Sequence, residues 1–161
     1  MLSQKLLDAL NDQLNAEYYS SYLYLAMSAH CEAESFRGMA HWLREQSKEE
    51  MEHAMKFYDF ILSRGARVQL KELPTPPNHW ASPLAVFEAT LAHERHITER
   101  IHKLLDLAVA EHDHPGQVFL HWFVNEQVEE EAAAQLIVDR MKMVGDSPGG
   151  LLILDRELGA R

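Results

Sequence analysis

Four stretches of this chain carry an apolar stripe at three-and-four spacing, and each stripe is broken once, about halfway along, by carboxylates. The first stripe is Leu7, Leu10 and Leu14, then Ser21, Tyr24 and Ser28, with Glu17 in its middle. The second runs Phe36, Met39 and Leu43, then Phe57 and Ile61, interrupted by Glu50 and His53, which lie i and i+3 on one face. The third runs Leu84, Phe87 and Leu91, then Thr98, Ile101 and Leu105, and Glu94 fills the gap. The fourth runs Phe119 and Phe123, then Ala134, Ile137 and Met141, with Gln127 and Glu130 between. A seam of this kind is the inward face of a helix in a bundle, so the acids point at the core.

Punctuation sets the helix limits. No stretch sustains period-two alternation, and Gly and Pro gather at a few places, so the predicted fold is all-α. Helices are expected over about 3–33, 36–64, 83–111, 115–144 and 147–158, in one domain spanning 1–161. Glu34-Ser35 makes the first turn, with Ser35 as N-cap of the second helix; Gly65 ends that helix; Ser82-Pro83 and Ser147-Pro148 each read as an N-cap followed by proline in the first helical position. The connection 65–81, with Pro74, Pro76 and Pro77, is long for a compact domain. Extended at ~3.3 Å per residue it reaches roughly 55 Å, and a helix of about 28 residues spans roughly 42 Å, so it can cross the whole bundle. This is the one-crossover form of the four-helix bundle, with a short fifth helix.

The four interruptions fall near mid-helix whichever way the chain runs, so they meet at one level. A buried carboxylate costs several kcal/mol unless it is paired or bound to metal, and no Lys or Arg occupies the seams there. A lone seam glutamate can snorkel outward or stay protonated. Four at coincident depth, with a histidine one turn on, call for dications: Glu17, Glu50, Glu94 and Glu130 carry four negative charges, enough for two M(II) ions. Carboxylates with one imidazole suit Fe, Mn or Zn, and iron is favoured.

Composition narrows the partners. The net charge of -10 disfavours nucleic acid and anionic membranes, and no apolar run approaches the ~18 residues of a membrane span. The N-terminus has neither a signal-peptide nor a transit-peptide pattern, so a cytoplasmic location is expected. The single cysteine, Cys31, makes no intrachain disulfide and no rubredoxin-type iron site, which sets aside a rubrerythrin-like protein. His93-Glu94-Arg95-His96 is one residue short of the zinc-protease His-Glu-x-x-His spacing.

Taken together, Glu17, Glu50-x-x-His53, Glu94 and Gln127-x-x-Glu130 resemble the di-iron centre of ferritins, for which this constellation is well known. The likeness runs from the Leu-Asn-x-Gln-x-Asn-x-Glu segment ending at Glu17, through Asn125 to Glu131, to the tail helix, and is of the bacterial non-haem kind. It implies a ferroxidase: Glu17, Glu50 and His53 would hold one iron, and Glu50, Glu94 and Glu130 the other, with Glu50 bridging and Gln127 lining the site. Tyr24 would hydrogen-bond to the site or donate an electron. Glu49, Glu126 and Glu129 would form a third iron site, although Lys48 stands where some relatives have another acid. The same likeness implies Fe(II) and dioxygen or hydrogen peroxide as substrates and a shell of 24 chains with the tail helix near the four-fold axes. Met51 falls where bacterioferritins hold haem, but those carry a second Glu-x-x-His on the fourth helix, so no haem is expected. The alternatives are a haem-binding bacterioferritin and an oxygen- or peroxide-activating di-iron enzyme on the same bundle.

Overall fold

A computed structural model describes residues 1–161 and contains five helices and no strand: α1 (Gln4–Ala33), α2 (Arg37–Ser63), α3 (Pro83–Ala110), α4 (His114–Val144) and α5 (Pro148–Leu158). The serine caps at three starts satisfy orphan helical N–H groups: Ser3 accepts from Leu6, Ser82 from Ala85, and Ser147 from Gly150.

Ser35 behaves differently from expectation. It sits at φ 69°, and α2 begins after Phe36 with no side-chain cap. The Phe36 N–H donates to Cys31 O and the Ser35 N–H to Glu32 O, a Schellman closure of α1. Ser35 therefore terminates the first helix instead of capping the second. The same closure recurs at Gly65, φ 70°, and at His112, φ 53°. Asp113 follows His112 and caps α4, accepting from Gly116 N, so that helix starts at His114 and not at Pro115. Asp113 also takes both guanidinium nitrogens of Arg64, at 2.9 and 2.7 Å, which ties the α3–α4 junction to the end of α2.

α1 packs on α2, α3 on α4, and α1 on α3, with α5 seated against α2 and α4. The segment between α2 and α3 runs along α1 as expected of a crossover, and side chains of α1 hold its backbone. Asn11 donates to Arg67 O and accepts from Gln69 N; Asn15, one turn on, donates to Gln69 O and accepts from Lys71 N. α5 is fixed by close approach: a Cβ on Gly38 would sit 1.7 Å from Asp155 O. Asp155 Oδ1 in turn accepts from Met39 N at 2.8 Å, supplying the cap that α2 otherwise lacks.

The hydrophobic interior is two clusters, not one. The lower contains Leu6, Leu10, Leu14, Phe57, Ile61, Ile97, Ile101, Leu120 and Phe123. The upper is built around Tyr24, Met27, Met39, Leu43, Phe87, Ala134 and Met141. The seams are wider than the sequence stripes suggested: Leu7, Leu84, Thr98, Leu105 and Phe119 are only half-buried, and Leu6, Val86, Ile97, Leu104 and Leu120 beside them are the buried residues. No helix is long and apolar enough to cross a membrane.

Candidate metal centre

The layer between the two clusters is polar. α1 brings Glu17, α2 brings Glu50 and His53, α3 brings Glu94, and α4 brings Gln127 and Glu130, every one of them buried. Each helix delivers its acid there because an apolar turn on either side is locked into one or the other cluster. Ligand atoms of Glu17, Glu50 and His53 lie within 4.8 Å of one another, as do those of Glu50, Glu94 and Glu130, so the two triads share Glu50.

No Lys or Arg forms an ion pair with any of these four acids. Neutral donors surround them instead. Gln13 Nε2 donates to Glu17 Oε1 at 2.8 Å, while Glu17 Oε2 is buried with no hydrogen-bond partner. Gln46 Nε2 donates to Glu130 Oε2 at 2.6 Å and lies 3.4 Å from Glu50 Oε1. Glu94 accepts from the Tyr24 hydroxyl on one oxygen and from Gln127 Nε2, at 3.1 Å, on the other. His53 Nδ1 lies 3.2 Å from Glu50 Oε2. Trp122 and Phe123 stand edge-on to the His53 ring and shield it.

Burial without a cationic partner raises proton affinity. Burial pushes the Glu94 carboxyl up from 4.5 to about 7, and pushes Glu130 up to about 8 with help from the Glu94 charge. Glu17 is raised by burial, and Glu50 well above the usual range by burial and then by the charges of Glu94, Glu17 and Glu130. Burial, and then the charge of Glu94, lifts the Tyr24 phenol well above its ordinary value, so it stays an O–H donor. Metal-free, the layer keeps protons where cations would otherwise sit. Oxygen-rich donors with one imidazole, an orphaned buried carboxylate oxygen and no competing basic side chain fit hard to borderline dications such as Fe(II).

The proposed third group is looser. Glu126 joins His53 and Glu130 within 4.8 Å, and its Oε1 is 3.8 Å from His53 Nε2. Glu129 is exposed and Glu49 is paired with Arg161 at 2.7 Å, so neither belongs to that group. Lys48 turns to Glu45 at 2.6 Å. Met51 is 40% exposed on α2, outside the polar layer. His93 contacts Ser20 Oγ and stands edge-on to Tyr24 without joining a ligand group.

Sequence reasoning passed over Gln46 and gave Gln13 no role. The signal was there: each amide stands one helical turn before a seam glutamate, Gln13 before Glu17 and Gln46 before Glu50, so it shares that residue's face.

Comparison with known proteins agrees with this geometry. The model of the ferritin-like domain matches residues 7–144. The bacterial non-haem ferritin of Bacteroides fragilis is 47% identical, covering 100% of both chains. That of Staphylococcus saprophyticus is 41% identical, over 100% of this chain and 96% of its own. The open-pore ferritin of the hyperthermophilic archaeon Archaeoglobus fulgidus superposes with a TM-score of 0.99 at 46% identity, covering 100% of this chain and 99% of that one. A family match across most of the length, full-length relatives and a near-identical backbone leave one assignment: the chain belongs to the ferritin family.

Proposed function

We propose that this protein oxidises Fe(II) at the polar layer between its helices and stores the ferric product inside a shell made of its own copies. The observation that carries this is the pair of buried triads sharing Glu50, four acids from four helices with no Lys or Arg partner. Iron is the substrate here. Glu17, Glu50 and His53 hold one Fe(II), and Glu50, Glu94 and Glu130 hold the second, their four negative charges balancing two dications. Each Fe(II) gives up one electron. Dioxygen takes both electrons with two protons to become hydrogen peroxide, or peroxide takes them with two protons to become two waters.

The surrounding residues shape that step. Tyr24 and Gln127 donate to opposite oxygens of Glu94 and fix its plane. The neutral amide of Gln127, in place of a fifth acid, leaves coordination positions open to the oxidant. Trp122 and Phe123 limit water at His53. Glu126 supports a third iron position beside His53 and Glu130. Relatives named non-haem ferritins support iron without haem. The same likeness supports a 24-chain assembly, a cytoplasmic location and a single ferritin-like domain over 1–161.

The test is aerobic loading of the purified particle with Fe(II). Many irons per chain in a large particle are expected, and Glu50→Ala slows oxidation severely while the particle stays assembled. Uptake that stops at about two irons per chain in a small particle signifies a di-iron enzyme and overturns the storage reading.

A further inference from the structure

We infer that Arg100 and Arg161 are positioning residues, each acting through a buried glutamine on a different one of the two metal positions. The inference rests on the functional reading above and extends it to residues outside the ligand set.

The two arrangements have the same construction. Arg100 Nε donates to Gln13 Oε1 at 2.9 Å, and Gln13 Nε2 donates to Glu17 Oε1 at 2.8 Å. Arg161 Nη1 donates to Gln46 Oε1 at 3.1 Å, and Gln46 Nε2 donates to Glu130 Oε2 at 2.6 Å. Both glutamines are 1% exposed, whereas both arginines reach solvent. The Arg161 guanidinium is further held by Trp42 O, at 3.1 Å, and by stacking 4.7 Å over the Trp42 ring.

The chemistry explains why an arginine is needed. The two ends of a glutamine amide have almost the same shape, but only the NH2 end can face a carboxylate without repulsion. A guanidinium is donor-only and always charged, so of the two amide ends only the oxygen can face it, and this sets which end faces inward. It also polarises the amide, strengthening the donor bond to the carboxylate. Without it, a buried Oε1 loses its partner, and the amide gains by turning that oxygen toward water. A cation placed directly among the acids would compete with the metal; at the rim, one amide away, it orients a ligand and leaves the site free. Glu17 belongs to one triad only, and Gln46 Nε2 lies much nearer Glu130, at 2.6 Å, than the shared Glu50, at 3.4 Å, so each relay acts chiefly on a different position.

Anaerobic titration of the assembled protein with Zn(II), a redox-inert probe, followed by anomalous scattering to assign positions, tests this. Arg100→Ala and Gln13→Leu are expected to weaken the Glu17–Glu50–His53 position about tenfold, the lower range for residues that orient metal ligands, and to spare the other. Arg161→Ala and Gln46→Leu are expected to do the reverse. The double variant Arg161→Ala with Gln46→Leu should be no weaker than Gln46→Leu alone, because both act through one contact. Should a leucine variant not assemble, the two arginine variants, altered at the rim, decide the matter. Equal loss at both positions in each variant, additive effects, or wild-type affinity throughout overturns the relays. Wild-type protein that binds no zinc between the helices sinks the functional reading itself.

Discussion

Loading the centre with a dication should expel protons, in a number fixed by pH. Glu94 titrates at about 7 and Glu130 at about 8, so at pH 6 both are almost wholly protonated in the metal-free protein. Bound metal requires both as carboxylates. These two groups alone therefore release about two protons at pH 6, falling to a small fraction of one at pH 9. Glu17 and Glu50, both raised, add to the release. Apparent Zn(II) affinity must rise with pH accordingly, by about a hundredfold between pH 5 and pH 6 for a two-proton exchange. The assay is calorimetric titration in buffers of different ionisation enthalpy, which reads released protons directly. Release near zero at pH 6, or release that grows toward pH 9, would show that the acids are already ionised in the empty site. Burial would then not be the cause of their behaviour.

The remaining expectations are these. Because the folded-state values of Glu94 and Glu130 lie above the ordinary 4.5, the metal-free fold holds more protons than the unfolded chain, and its stability falls as pH rises from about 5 through about 8. At about 1.4 kcal/mol per tenfold change in proton affinity the Glu94 contribution alone is ~3 kcal/mol, to be measured as a declining Tm in chelator that Zn(II) abolishes; a flat Tm refutes it. Gly38→Ala, whose Cβ would overlap Asp155 O, should displace α5, visible as faster amide exchange over residues 148–158 with a loss of about 1–3 kcal/mol. Asn15→Ala removes both bonds from that side chain to the crossover backbone and should cost about 1–3 kcal/mol in denaturant melts, with Asn15→Asp recovering only the acceptor half.

Much of the architecture was legible because it rests on periodic and local signals. The 3.6-residue period located four long helices, serine–proline pairs marked two starts, and Gly65 marked a stop, each through chemistry contained in a few neighbouring residues. The coincident depth of Glu17, Glu50, Glu94 and Glu130 was legible for the same reason, since helix length converts sequence position into height. What escaped had two causes. Ser35 and His112 adopt left-handed geometry that composition does not advertise, because a Schellman turn is chosen by the packing of the helices it joins. Gln46 and Arg161 are separated by a long stretch of chain, and their bond exists only once α5 has folded back on α2. Periodicity along one helix cannot report a partner on another.

The asparagine pair on α1 has a consequence for which sequences this fold tolerates. Asn11 and Asn15 read only main-chain groups of the crossover: the amide hydrogens of Gln69 and Lys71, and the carbonyls of Arg67 and Gln69. These contacts leave side-chain identity at 67 and 69 free to drift, Lys71 being held besides by its ion pair with Asp12, whereas proline is excluded at 69 and 71, whose N–H groups are both used. The loop is spelled by its hydrogens, and two residues fifty-odd positions upstream do the spelling.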